Sequence, residues 1–221
     1  MRDTAVLQRF KQGYTTGART LASRSITGLT HTRVTPNVLT TSGVSLCLAA
    51  AVLVFFEDRN ELLFYWLGAV VFVVGSLLDI LDGALARAGG KTTPFGAFLD
   101  STTDRVGEGA VLGSIALVFS RHDHTVALAA AIAAVAGSFL VSYTRAKAEA
   151  LGLRGDVGLG SRAERVVVIT AGLVLAPFSL WLLIGAIVFL AATAWLTVVQ
   201  RILHVRKQLL LLGGSNGNQQ R

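Results

Sequence analysis

The chain is poor in the residues that cross-link, kink or solvate a fold: one cysteine, three prolines and only 15% charged residues among 221. A single cysteine excludes an intrachain disulfide. Because Cys47 lies in an apolar run, it reads as a small hydrophobe rather than a nucleophile. The scarcity of charge, set against 52% hydrophobic residues and a mean hydropathy of +0.61, excludes an ordinary soluble domain of this size. No long-period repeat is visible, so a solenoid is not expected. The first residues lack the uninterrupted apolar core of a cleavable signal, and the first span is expected to direct its own insertion.

What the chain has is long apolar runs, at about 38–56, 62–88, 97–119, 125–148, 162–178 and 180–203, each long enough to cross roughly 30 Å of hydrocarbon. They predict an all-α bundle of six transmembrane helices in one domain over residues 35–208, with both termini on one side. Residues 1–34 form a juxtamembrane segment. Within it, Ala5 to Leu29 mixes apolar side chains with Arg9, Lys11, Arg19 and Arg24, as an amphipathic helix in the interface would. Residues 209–221 are expected to be a disordered tail. Of the 20 Lys and Arg residues, only Arg59 and Arg121 fall in the two loops of one side, so both termini are expected on the cytoplasmic face of a cell membrane. The net charge of +7 then belongs to that face, where it attracts anionic headgroups and phosphorylated ligands rather than nucleic acid. His31, His122, His124 and His204 have no ligand-like company and are expected in solvent or at the interface. Gly109-x-x-x-Gly113 suits close helix packing.

A carboxylate inside a span costs about 2.5–3.5 kcal/mol at a helix centre, so each one needs a reason. Four occur close together. Asp79 and Asp82 are i and i+3 at the end of the second run, and Asp100 and Asp104 are i and i+4 at the start of the third. Both spacings put the side chains on one helical face, and the short intervening loop makes the two helices antiparallel neighbours. Four converging carboxylates need countercharge, and oxygen-only ligands favour hard divalent ions, magnesium or manganese, with room for a pair. Gly83, Ala86 and Gly96 strip side chains from the same faces, which lets a bulky ligand approach the backbone. Arg87 is placed to reach a phosphate, whose geometry suits its fork.

Read together, Asp79-x-x-Asp82-Gly83-x-x-Ala86-Arg87, eight residues, then Gly96-x-x-x-Asp100-x-x-x-Asp104 resembles the complete signature of the CDP-alcohol phosphatidyltransferases. The resemblance extends from about Thr35 to Arg201 and implies a six-helix membrane enzyme, usually a homodimer. In such an enzyme a CDP-linked lipid such as CDP-diacylglycerol binds at the cytoplasmic surface and an acceptor hydroxyl displaces CMP. It implies that Asp79, Asp82 and Asp100 hold the metals and that Asp104 also serves as general base. It further implies that Gly83, Arg87 and Thr93 contact nucleotide and diphosphate, and that Asn37, Val38, Leu39 and Thr40 lie near the CDP-lipid. Direct displacement is expected, since no Ser, Cys or His is placed to form a phospho-enzyme.

For the acceptor, the order Ser142-Tyr143-Thr144-Arg145-Ala146-Lys147, then Gly152 to Asp156, Arg162-Ala163-Glu164-Arg165 and Gln200-Arg201 is similar to the phosphatidylinositol phosphate synthases of actinobacteria. There, a basic pocket holds the phosphate of inositol 3-phosphate. The corresponding candidates are Arg145, Lys147, Arg162 or Arg165, and Arg201. Arg145 stands for a lysine, Lys147 for an arginine and Ala163 for a usual proline. Glycerol 3-phosphate is the rival acceptor, and an aspartate-lined cation transporter is the rival from another class. A transporter would place charge near the midplane on several helices.

Overall fold

The computed structural model describes residues 36–217 except 89, 91, 159 and 160, and of Pro36, Arg87, Ala88 and 213–217 it describes the backbone alone. The expected N-terminal amphipathic helix lies outside the described residues. The expected all-α, six-helix architecture is borne out: α1 (Pro36–Phe55), α2 (Glu61–Ala88), α3 (Pro94–Arg121), α4 (Thr125–Ala150), α5 (Arg162–Leu175) and α6 (Leu180–Gly217), with a 3₁₀ turn at Glu57–Arg59. Four of them, α1, α2, α4 and α6, are long and apolar enough by themselves to cross a membrane. The other two depart from that standard for visible reasons. α3 carries Asp100, Asp104, Arg105 and Glu108 ahead of its apolar stretch. α5 has 14 residues, about 21 Å of rise, and stops at Leu175, just ahead of Pro177. At the other end α6 continues to Gly217, through residues 209–217 that the sequence reading leaves as tail.

Local chemistry sets the helix ends. Thr93 caps α3: its hydroxyl accepts from the Gly96 amide at 3.0 Å, and Pro94 occupies the first helical position, where its missing N–H costs nothing. Ser161 and Glu164 form a capping box at the start of α5. Gly152, at φ +72°, ends α4 in the left-handed conformation, with the Leu153 amide reaching back to the Ala148 carbonyl at 2.9 Å.

The chain divides into two compact units. One comprises the described part of residues 1–46 with residues 74–106, and the other comprises 47–73 with 107–221. The larger unit holds the main apolar core, in which Val54, Phe72, Leu112, Phe119, Ile169, Leu173, Leu183 and Ile187 are nearly or fully shielded. Polar groups join its helices without exposing backbone. The Ser114 hydroxyl donates to the Ala51 carbonyl at 2.6 Å, Trp66 Nε1 to Val174 at 3.1 Å and Trp195 Nε1 to Ala133 at 3.0 Å. Of the Gly109/Gly113 pair, only Gly109 packs inside the chain, where an added Cβ would meet the Phe139 ring at 3.1 Å. Gly113 opens onto an apolar groove with Phe55, Phe56 and Leu117.

In the smaller unit the decisive packing is between backbones. A Cβ on Gly43 of α1 would stand 3.0 Å from the Gly75 carbonyl oxygen of α2 and 3.6 Å from the Asp79 Cβ. That close approach brings the start of α1 against the acidic end of α2.

Candidate active site

The smaller unit contains every expected metal and nucleotide residue that the structure describes. Asp79 and Asp82 are 5% and 2% exposed on α2, and Asp100 is half-buried on α3. One carboxylate oxygen from each of the three lies within 4.8 Å of the others. At that spacing, each ionised pair repels by about 3.5 kcal/mol at an effective dielectric of about 20. A triad of carboxylates this close, two of them buried, fits a hard divalent cation, which turns the repulsion into coordination. Asp104, one turn further along α3, is half-buried and is not one of the three.

Thr40 is 3% exposed, and its hydroxyl donates to Asp82 Oδ2 in a short hydrogen bond. The bond helps to fix the rotamer of that carboxylate. The contact follows from the Gly43–Gly75 approach, because Thr40 lies one turn before Gly43 and Asp82 two turns after Gly75.

Asp82 and Asp100 border a cavity of about 140 Å³ that is also lined by Asn37, Thr40, Gly83, Ala86, Thr92, Thr93, Gly96 and Ala97. Its walls are small residues, as expected for a ligand that must reach the backbone and the carboxylates together. The expected Asn37–Thr40 segment divides by helical face. Asn37 and Thr40, three apart, line the cavity, whereas Val38 is 53% exposed and Leu39 is buried, and neither borders it. Gly83 and Thr93 take their expected places on the wall. The side chain of Arg87 lies outside the described residues.

The five acceptor candidates belong to the larger unit, and their surroundings differ. Arg145 is exposed and paired with Glu149 at 2.8 Å, one turn on, while Lys147 is exposed. Arg162 is half-buried in the first turn of α5. Arg165 is 7% exposed and grips Glu108 with two bonds, Nε to Oε1 at 2.7 Å and Nη2 to Oε2 at 2.8 Å. Arg201, also 7% exposed, donates through Nε to the Val157 carbonyl at 2.8 Å and through Nη1 to the Val141 carbonyl. Neither Glu108 nor the Thr40 hydroxyl bond was legible as a partner in the sequence. The only signal for Glu108 is that it lies one turn after Asp104, on the helical face that already carries two acids.

A second polar cluster lies in the turn between α1 and α2. Glu57, 1% exposed, accepts from Arg121 Nη1 at 3.0 Å, and His122 Nε2 is 3.5 Å from the same oxygen, so His122 is not the isolated histidine the sequence implied. Burial pushes the Glu57 carboxyl up from its ordinary range, against the opposing pull of His122 and Arg121.

The model of the CDP-alcohol phosphatidyltransferase family matches residues 33–203. A phosphatidylinositol phosphate synthase of Streptomyces avermitilis is 36% identical over 192 residues, covering 79% of this chain and 73% of that protein. An archaetidylinositol phosphate synthase of Methanothermobacter thermautotrophicus is 39% identical over 145 residues, 64% of this chain and 71% of its own length. Among solved structures, the Mycobacterium tuberculosis phosphatidylinositol phosphate synthase with CDP-DAG bound superposes with a TM-score of 0.73 at 32% identity, covering 83% of this chain and 92% of that one. The same enzyme with manganese and citrate gives 0.74 at 33% identity, over 83% and 88%. These likenesses set aside the cation-transporter alternative. The chain belongs to the CDP-alcohol phosphatidyltransferase family and is a membrane enzyme that uses a divalent metal.

Proposed function

We propose that the chain transfers the phosphatidyl group of CDP-diacylglycerol to a phosphorylated inositol, inositol 3-phosphate, and releases CMP. The observation that carries the chemistry is the Asp79, Asp82 and Asp100 triad, of which Asp82 and Asp100 line a small-walled cavity that leaves room for a diphosphate. The acceptor rests on the likeness to phosphatidylinositol phosphate synthases, including 38% identity over 179 residues with that of Mycolicibacterium smegmatis, and on the cations at 145–165 and 201.

Asp79, Asp82 and Asp100 hold the metal, magnesium or manganese, with Asp104 completing the set for a second ion. When bound, the metal neutralises diphosphate charge and stabilises the leaving CMP. Thr40 orients Asp82 through its hydroxyl. Gly83, Ala86 and Gly96 leave space for the donor, Asn37, Thr93 and Arg87 contact its polar part, and the exposed Val38 faces its lipid surroundings. Asp104 accepts the proton of the attacking hydroxyl. The new bond joins that oxygen to the lipid-bearing phosphorus, and the bond from that phosphorus to CMP breaks, its electron pair leaving with CMP. Arg145, Lys147, Arg162, Arg165 and Arg201 attract the acceptor phosphate. The bias of Lys and Arg toward one side supports both termini in the cytoplasm of the producing cell, where CDP-linked lipid is available. The family likeness supports a homodimer as the working assembly.

Purified enzyme in mixed micelles with CDP-diacylglycerol, either metal and a panel of inositol phosphate, inositol, serine and glycerol 3-phosphate is expected to release CMP only with inositol phosphate. Chelation should stop the release, and added metal should restore it. Preference for glycerol 3-phosphate or free inositol would overturn the acceptor and leave the transferase chemistry standing.

A further inference from the structure

Resting on the phosphorylated-acceptor reading, we propose that Glu108 is a positioning residue for acceptor recognition: it fixes the aim of the Arg165 guanidinium. Glu108 lies on α3, one turn beyond Asp104, and Arg165 lies in the first turn of α5. Their side chains are 7% and 8% exposed, and two bonds of 2.7 and 2.8 Å join the carboxylate to the Nε–Nη2 edge of the guanidinium. One bond would leave the guanidinium free to swing. Two bonds, to two different nitrogens, fix its plane and turn the Nη1 corner away from Glu108.

Arg145 and Arg201 are not held this way. The Arg145–Glu149 pair is more than half exposed on both sides, so solvent screens it and its geometry is loose. Arg201 is held by the backbone carbonyls of Val141 and Val157, which no side-chain substitution removes. Glu108 is therefore the acid through which a substitution moves a buried cation of the acceptor set. Its charge matters as well as its grip. A buried arginine matched by one carboxylate attracts an anion through directed N–H groups rather than through net charge, which favours a phosphate arriving from one direction over anions in general.

The measurement is the KM and kcat of both substrates in the full-length enzyme, for wild type, Glu108→Gln, Glu108→Asp, Arg165→Gln and the Glu108→Gln/Arg165→Gln pair. Glu108→Gln is expected to raise the inositol phosphate KM about tenfold or more, while kcat and the CDP-diacylglycerol KM stay within about twofold. Glu108→Asp, one methylene shorter, keeps the charge and loses the reach, so it should fall between the two. In the Arg165→Gln background, Glu108→Gln should add nothing, because its effect passes through the arginine. Parallel loss for both substrates, or additive effects in the pair, would overturn the proposal and leave a packing role. Should Glu108→Gln fail to accumulate, the pair carries no lone buried charge. Its match to Arg165→Gln alone, together with the Asp variant, still decides the question. A wild-type enzyme indifferent to the acceptor phosphate would instead defeat the functional reading, and the wild-type assay alone reveals that outcome.

Discussion

Buried carboxylates occur in two arrangements in this molecule. At Glu57 and Glu108 each acid faces an arginine, Arg121 at 3.0 Å and Arg165 at 2.7 Å, so that each buried negative charge has a positive one beside it. At Asp79, Asp82 and Asp100 the acids face one another, with oxygens gathered within 4.8 Å. The first arrangement makes a buried charge tolerable and fixes a geometry. The second concentrates like charge at one place, a donor set that suits a divalent cation. Charge in the apolar interior is thus no single signal: which group stands opposite decides between a brace and a binding site.

The comparison breaks most easily at the triad. Asp82→Asn removes one ligand charge with little change in size, and turnover is expected to fall by at least about a hundredfold while the protein stays inserted. Near-wild-type CMP release at any metal concentration would mean that the acids do not bind metal. A smaller effect belongs to Thr40→Val, which removes the hydroxyl that orients Asp82 and keeps its volume. The metal concentration for half-maximal rate should rise about ten- to a hundredfold, with the rate at saturating metal recovering most of the loss. Unchanged metal dependence would show that Asp82 needs no such support.

The triad was legible because its evidence is local. Asp79 and Asp82 at i and i+3, and Asp100 one short loop later, fix their faces by helical periodicity alone. Glu108 and Thr40 were not legible as partners, since each bond depends on how two distant segments pack: Arg165 follows Glu108 by 57 residues and Asp82 follows Thr40 by 42. The hydroxyl contact in turn needs the Gly43–Gly75 approach, and a glycine in an apolar run gives no sign of what it will face. Helix number followed from hydropathy, but the short α5 and the long α6 did not. Pro177 cut one early, and the leucines at 209–212 carried the other past the last span.

That dependence on a glycine can be tested directly. Gly43→Val would set a Cβ 3.0 Å from the Gly75 carbonyl oxygen, and both partners are rigid backbone. The helices must part, at a cost of about 1–3 kcal/mol, and the apparent melting temperature should fall by several degrees. Because Thr40 is carried on the same turn of α1, the variant should also show the weakened metal dependence of Thr40→Val. A destabilised enzyme with normal metal dependence would uncouple the close approach from the site.

The smallest expected effect tests the matched arrangement itself. Burial raises the Glu57 carboxyl above its ordinary value of 4.5. The folded chain therefore keeps a proton there that the unfolded chain has already released, and stability falls as pH rises from about 4.5 through the folded value, then levels. Glu57→Gln removes this titration and keeps an amide oxygen as acceptor for Arg121, which also donates to the Phe55 carbonyl at 2.9 Å and lies 3.4 Å from Asp58. The variant should match wild type near pH 4.5 and melt higher than wild type at pH 8, the gap opening as pH rises. Turnover should hardly change, since Glu57 precedes α2 and the acidic triad begins near its end. Parallel melting profiles across that pH range would show that Arg121 and His122 fully offset the burial of Glu57, making it as well solvated inside the protein as outside.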